Sequence, residues 1–285
     1  MTLANVEPPA EDIGHLDGRF VPGTEGSKPA ARWPRQTLVI PTFNERDNIA
    51  ALLRQLSMVL PASDTEVIFV DDSTDDTPQV IAATSVHCAF PVTVHHRVQG
   101  VGGLGGAVVE GFRLARGSWV VVMDGDLQHP PEVVVDLVAA GERDGADLVV
   151  ASRYLTGGSR AGLADRYRRL VSGTSTFVTR QLFRSALRRV SDPMSGFFAV
   201  RRSSLETDDL QPLGYKVLLE LLVRTRPARV VEVPYVFQPR QAGESKSSLR
   251  EGVRFLRHLG RLRLTARSSS LAGRTVAPTR TGGVS

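Results

Sequence analysis

Apolar and polar positions along this chain change period at regular intervals. Thr37 to Ile40, Val67 to Val70, Val92 to His95, Trp119 to Met123 and Leu148 to Ala151 are short apolar runs, predicted as buried strands. Helical periodicity fills the gaps between them, with Ile49, Leu52, Leu53 and Leu56 on one face. Pro78 and Pro130 suit first-turn helix positions, and the helical pattern from Leu104 to Ala115 follows a run of glycines. A later strand is expected from Phe197 to Val200. Strands alternating with helices imply an α/β fold, a doubly wound and mainly parallel sheet. The ends lack this pattern: residues 1–35 are polar and rich in Pro and Gly, a disordered arm, and residues 266–285 are a Ser, Thr, Gly and Arg tail. The folded body is therefore expected over residues 36–265.

In doubly wound sheets ligands sit beyond the carboxyl ends of the strands. The polar clusters of this chain fall there. Pro41 to Glu45 follow the first strand, Asp71 to Thr74 the second, and Asp124 to Gln128 a later one. Asp124 and Asp126 are one residue apart, so both can share a hard divalent cation, and Gly125 between them lets a diphosphate approach the backbone. Asp and Gly also form ordinary solvated turns, but three polar clusters at one edge are better explained by a nucleotide site.

Composition narrows the partners. At 285 residues and 41% hydrophobic content, the chain can bury a sizeable core. The single Cys88 excludes an internal disulfide and reads as a buried small hydrophobe in a reducing compartment. No run approaches the roughly 18 to 20 apolar residues of a membrane span, and the N-terminus lacks an apolar signal core, so a cytoplasmic protein is expected. A net charge of +5 points to an anionic partner. Nucleic acid is disfavoured, because basic and aromatic residues are not interleaved. Gly100, Gly102 and Gly105 fit G-x-G-x-x-G, but they follow the third strand rather than the first, which argues against a dinucleotide oxidoreductase.

The segments Pro41 to Glu45, Val70 to Ser73, Asp124 to Gln128, Ser152 to Tyr154 and Gly243 to Lys246, in this order, resemble the inverting family 2 glycosyltransferases, and among them the polyprenol-phosphate mannosyltransferases. The resemblance implies a GT-A type fold. It implies that Pro41, Phe43, Glu45, Val70 and Asp72 hold the nucleoside, with Asp71 only orienting the turn. Asp124, Asp126 and Gln128 would hold Mg²⁺ or Mn²⁺, with Gly125 against the nucleotide sugar. Asp126, Arg153, Arg240 and Lys246 would act at the reacting centre, and Arg168 and Ser172 would take the acceptor phosphate. Asp192 would orient an arginine, shape the acceptor pocket or form a turn. Three departures stand out: Phe43 replaces a usual tyrosine, Ser73 and Thr74 follow Asp72 where Gly and Ser are common, and the glycine loop lacks the basic residue often found before it.

The implied reaction transfers mannose from GDP-mannose to a polyprenyl phosphate with inversion. UDP-glucose or another nucleotide sugar on the same lipid is the alternative, as is a soluble acceptor. A binding protein without catalysis would have lost the carboxylates or the cations, and this chain keeps both. An anionic acceptor needs no strong general base, which fits the lack of an obvious His or Cys nucleophile. From Ser247 to Arg263, Leu249, Val253, Leu256 and Leu259 share a helical face beside Arg250, Arg254, Arg257 and Arg261. That pattern suits either an interfacial helix on the cytoplasmic face of a membrane or a core-packed helix with a solvated arginine face. A separate membrane protein as anchor is compatible with both.

Overall fold

A computed structural model describes residues 33–159, 177–208, 210, 216–239, 257 and 259–265. Its strands are β1 (Gln36–Thr42), β2 (Thr65–Asp71), β3 (Val92–His96), β4 (Trp119–Val122), β5 (Leu148–Ser152), β6 (Phe198–Arg201) and β7 (Val230–Pro234). They form one sheet in the order β3-β2-β1-β4-β6-β5-β7. β6 runs antiparallel to both neighbours and the other pairs are parallel. The expected α/β class and mainly parallel sheet are therefore observed. β7 was not anticipated, because its five residues carry Glu232 and a proline and are only partly buried.

The helices are α1 (Arg46–Val59), α2 (Thr77–Ser85), α3 (Gly103–Leu114), α4 (Glu132–Arg143), α5 (Arg184–Leu187) and α6 (Val217–Arg224). Pro78 stands in the first turn of α2 as expected. Pro130 does not do so for α4, which starts at Glu132 with Pro131 as its cap residue, so Pro130 belongs to the preceding turn.

Both sheet faces are covered, which is why the central strands are continuous apolar runs rather than alternating ones. Leu38, Ile40, Val67, Phe69 and Val121 pack with Ile49, Leu53 and Leu137 in one core. Val39, Val70, Val120 and Val122 face a second core with Val108, Phe112 and Leu218. Gly111 is required by this packing, since a Cβ there would overlap the Val39 side chain.

Leu259 and Leu262 are buried in the second core, together with Phe183, Leu187 and Leu222. The face of the C-terminal helix expected to meet lipid is, at this end, covered by protein. The physical cause is the apolar surface of α5 and α6, which needs a cover of its own. Arg263 fastens the helix by donating to the Leu182 carbonyl, and Arg257 is exposed. Among the described residues no helix is long and apolar enough to cross a membrane.

Candidate active site

The register of β1 against β2 sets Thr42 opposite Asp71 at the carboxyl edge. Asp71 is buried and fully engaged: its carboxylate accepts from Thr42 Oγ1 at 2.6 Å, Ser73 Oγ at 2.6 Å and the Ser73 N–H at 3.2 Å, and it meets His96 Nδ1 at 2.8 Å. It orients the turn, as expected. Ser73 Oγ in turn accepts the Asn44 N–H at 2.7 Å, where Asn44 takes a left-handed φ of 54°. The loops after β1 and β2 are thereby locked together. Glu45 precedes α1, and its carboxylate accepts from Asn48 Nδ2 at 2.7 Å. Phe43 is 44% exposed at this rim, whereas the Val70 side chain is wholly in the core. Val70 as a whole has no exposed surface, lying in β2 between β1 and β3.

Asp72 is held by Arg97, whose Nε and Nη2 reach its two oxygens at 2.8 and 2.6 Å. Arg97 also donates to the carbonyls of Val101 at 3.1 Å and Gly103 at 3.0 Å. Gly100 has φ 45°, and a Cβ on it would lie 3.1 Å from Asp72 Oδ2. The glycine loop thus closes over Asp72 because its backbone is bare. Arg97, just after β3, supplies a cation beside this loop.

Asp124 and Asp126 follow β4. Asp126 is buried and accepts the Gln128 N–H at 3.1 Å, with Leu127 forced to φ 63°. The Asp124 side chain is 38% exposed, and a Cβ at Gly196 would lie 3.2 Å from its Oδ2. Glycine at 196 therefore keeps room for the Asp124 carboxylate. Gln128 Nε2 donates to the Gln238 carbonyl at 2.9 Å, while the Gln238 N–H returns to the Gln128 carbonyl at 2.9 Å. His129 is buried, stacks on Phe197 at 4.8 Å and accepts the Asp124 N–H on Nδ1 at 3.0 Å. Burial pushes its pKa down to about 4, so the ring is neutral and pins the backbone of Asp124.

Arg153 follows β5 and is clamped by the fully buried Asp192. Its Nε and N–H donate to Oδ2 at 2.7 and 3.2 Å, and Nη2 to Oδ1 at 2.9 Å. Burial opposes the Arg153 charge, but the hydrogen bonds and charge of Asp192 outweigh it and raise the guanidinium pKa above its usual value. Asp192 is set in place from β7, where Glu232 accepts the N–H groups of Ser191 at 2.9 Å and Asp192 at 3.1 Å. Of the roles open to Asp192, two are observed: it orients an arginine, and its carbonyl accepts the Ser195 N–H at 3.2 Å to close a turn. Lys216, just before α6, donates from Nζ to the Met194 carbonyl at 3.2 Å. Burial, then the nearby Arg153, push its pKa down to about 8.

This carboxyl edge gathers acidic groups beside buried cations on a GT-A frame, and residues 37–208 match the model of Glycosyl transferase family 2. The chain is a family 2 glycosyltransferase. It is 38% identical over 79% of its length to a dolichol-phosphate mannosyltransferase of Pyrococcus furiosus, of which it spans 63%. It is 33% identical to the Mycosarcoma maydis protein of that name, covering 85% of this chain and 83% of that one, and 35% identical to the Saccharomyces cerevisiae protein, covering 79% and 86%. Among solved structures, glucosyl-3-phosphoglycerate synthase from Mycobacterium tuberculosis superposes with a TM-score of 0.61 at 24% identity, covering 82% of this chain and 80% of that one. S. aureus TarS gives 0.57 at 19% identity, over 81% and 65%. These two likenesses concern the fold.

The glycosyltransferase thus brings Asp72, Asp124, Asp126, Gln128 and Arg153 to one edge. Arg168, Ser172, Arg240, Lys246, the N-terminal arm and most of the expected interfacial helix lie outside the described residues. Arg97, His129, Lys216 and Glu232 were missed. His129 adjoins the acidic motif and could have been flagged by position alone. The other three become visible only when distant elements meet.

Proposed function

We propose that this chain transfers mannose from GDP-mannose to a polyprenyl phosphate with inversion, working at the cytoplasmic face of a membrane. The observation that carries the reading is the Asp192-clamped Arg153 lining one cavity with Asp124 at the carboxyl edge of the sheet. The shared name of the three curated relatives supports the choice of sugar and acceptor.

A phosphate oxygen of the acceptor attacks the anomeric carbon from the face opposite the diphosphate. The new C–O bond forms as the sugar-diphosphate bond breaks, and the electron pair leaves with GDP. The acceptor is already anionic, so no proton need be removed. Arg153, held rigid by Asp192, offers a preorganised cation where two anions must meet. Arg240, Lys246, Arg168 and Ser172 add to this set, the last two at the acceptor phosphate. Phe43 and Asp72 take the nucleoside, and the bare Gly100 lets the loop close over it.

Two carboxylates and an amide oxygen from Asp124, Asp126 and Gln128 are the donor set of a hard cation, and Gly196 leaves space at Asp124. Mg²⁺ or Mn²⁺ there would neutralise charge on the departing diphosphate. Among the described residues no group of three or more His, Cys, Asp or Glu side chains is placed to hold a metal ion.

The test offers radiolabelled GDP-mannose or UDP-glucose with a short polyprenyl phosphate and Mg²⁺. A labelled lipid product from GDP-mannose is expected. Product from UDP-glucose alone would overturn the donor, and no lipid product from either would overturn the acceptor.

A further inference from the structure

A cavity of about 680 Å³ lies at the end of α6 remote from Lys216, among α5, α6, the start of β7 and the C-terminal helix. At 1.5 Å per residue, α6 sets it about 12 Å from Lys216 along the helix axis. Val230, at the amino end of β7, lines it, so it stands at the opposite edge of the sheet from Asp124 and Arg153. Arg184, Arg226 and Arg263 line it with no Asp or Glu among the lining residues, and Phe183, Leu222 and Val223 supply apolar surface. Among the described residues neither Arg184 nor Arg226 pairs with a carboxylate, and Arg263 donates to the Leu182 carbonyl, which uses one of its five N–H donors. Arg226 also takes φ 45° just past α6, where glycine is the unstrained residue, so an arginine stands there at a backbone cost.

We propose that this cavity binds the headgroup phosphate of an anionic membrane phospholipid that is neither donor nor acceptor. It rests on the membrane part of the function proposed above, not on the sugar or the acceptor. Guanidinium forks match phosphate oxygens in pairs, and three of them around one cavity repel each other until an anion enters. The apolar lining takes the first carbons of the lipid chains. A volume of about 680 Å³ falls in the range of about 300 to 1,000 Å³ typical of small-molecule sites. Twelve residues line the cavity, about half of the roughly 20 to 30 that a protein partner occupies on each side, so a single lipid fits better than a protein. Phe177, one helical turn before Gln181 of the lining, is 63% exposed, and Leu264, next to Arg263, is 70% exposed. Apolar tips beside arginines are the makings of an interfacial surface.

The test floats the full chain with vesicles of phosphatidylcholine, with and without phosphatidylglycerol, at physiological salt. No nucleotide sugar or polyprenyl phosphate is present, so a failure of the transfer reading leaves this result standing. The wild type should float with the anionic vesicles and not with the neutral ones. Arg184→Gln combined with Arg226→Gly should weaken that binding about thirtyfold, the size of two arginine contacts with an anionic surface. Glycine suits φ 45°, so this pair should fold. Arg54→Gln with Arg143→Gln removes two exposed charges from α1 and α4, which pack on the other face of the sheet, and should cost less than about threefold, since salt screens distant charges. Equal losses in the two pairs would reduce the effect to net charge and overturn the proposal, as would equal flotation with neutral vesicles or none with either. Short-chain phosphatidic acid should raise the melting temperature of the wild type and not of the cavity pair. An equal rise with inorganic phosphate would leave an ion site without the lipid and overturn it. Polyglutamate binding that is lost in the cavity pair, with no vesicle binding, would assign the cavity to an acidic protein instead.

Discussion

Replacing Asp192 with alanine removes the partner of a guanidinium that cannot shed its charge. Asp192 is 0% exposed, Arg153 is 11% exposed in its side chain, and three hydrogen bonds join them. A surface ion pair of this kind would be worth about 0 to 1 kcal/mol. Breaking a buried one by deleting a single partner costs about 3 to 5 kcal/mol, because the remaining charge stays desolvated. With a urea dependence of roughly 3 kcal/mol per molar for a chain of this size, the unfolding midpoint should fall by about 1 to 1.7 M. Arg153→Met combined with Asp192→Ala should recover part of that loss, since no buried charge is then left alone. The measurement is a double-mutant cycle in urea, with Asp192→Asn added as the variant that keeps shape and one acceptor. A cost below about 1 kcal/mol for Asp192→Ala, or a coupling energy near zero across the cycle, would refute the view that this clamp is a desolvated pair.

Other consequences follow from the same edge. The folded state keeps His129 neutral down to about pH 4, whereas the unfolded chain takes the proton near 6.5. Stability is therefore whole above pH 6.5 and should decline by about 3 kcal/mol as pH falls to about 4, at about 1.4 kcal/mol per pH unit. Thermal melts of wild type and His129→Phe should diverge over that window, and parallel curves would contradict the assignment. Gly196→Ala adds a methyl 3.2 Å from Asp124 Oδ2, so turnover should fall at least about tenfold while stability changes by only about 1 kcal/mol. Retained turnover would show that Asp124 tolerates displacement. Asp126→Ala should abolish transfer and leave the circular dichroism spectrum intact; activity with normal metal dependence in that variant would remove Asp126 from the metal site.

Apolar runs carried the first six strands and the sheet class, because a sheet covered on both faces must be built from uninterrupted apolar runs, while one apolar face, two prolines and a glycine run marked four helices. The same rule placed Asp72, Asp124 and Asp126 at the carboxyl edge before any contact was known. Arg153 and Asp192 could each be flagged by motif, but 39 positions separate them and their pairing needed the sheet.

What the chain's order of residues determined by itself is the set of strands and the loops that end them, since both follow from local period and turn chemistry. The tertiary structure alone decided what each polar group faces. It gave Asp72 its Arg97, tied Asp192 to Glu232 on a short, half-buried strand, and brought Lys216 to the cavity that Asp124 and Arg153 line. It also turned Leu259 inward, toward protein. A period shows that one face of a helix is apolar; only the packing of distant elements shows what covers it.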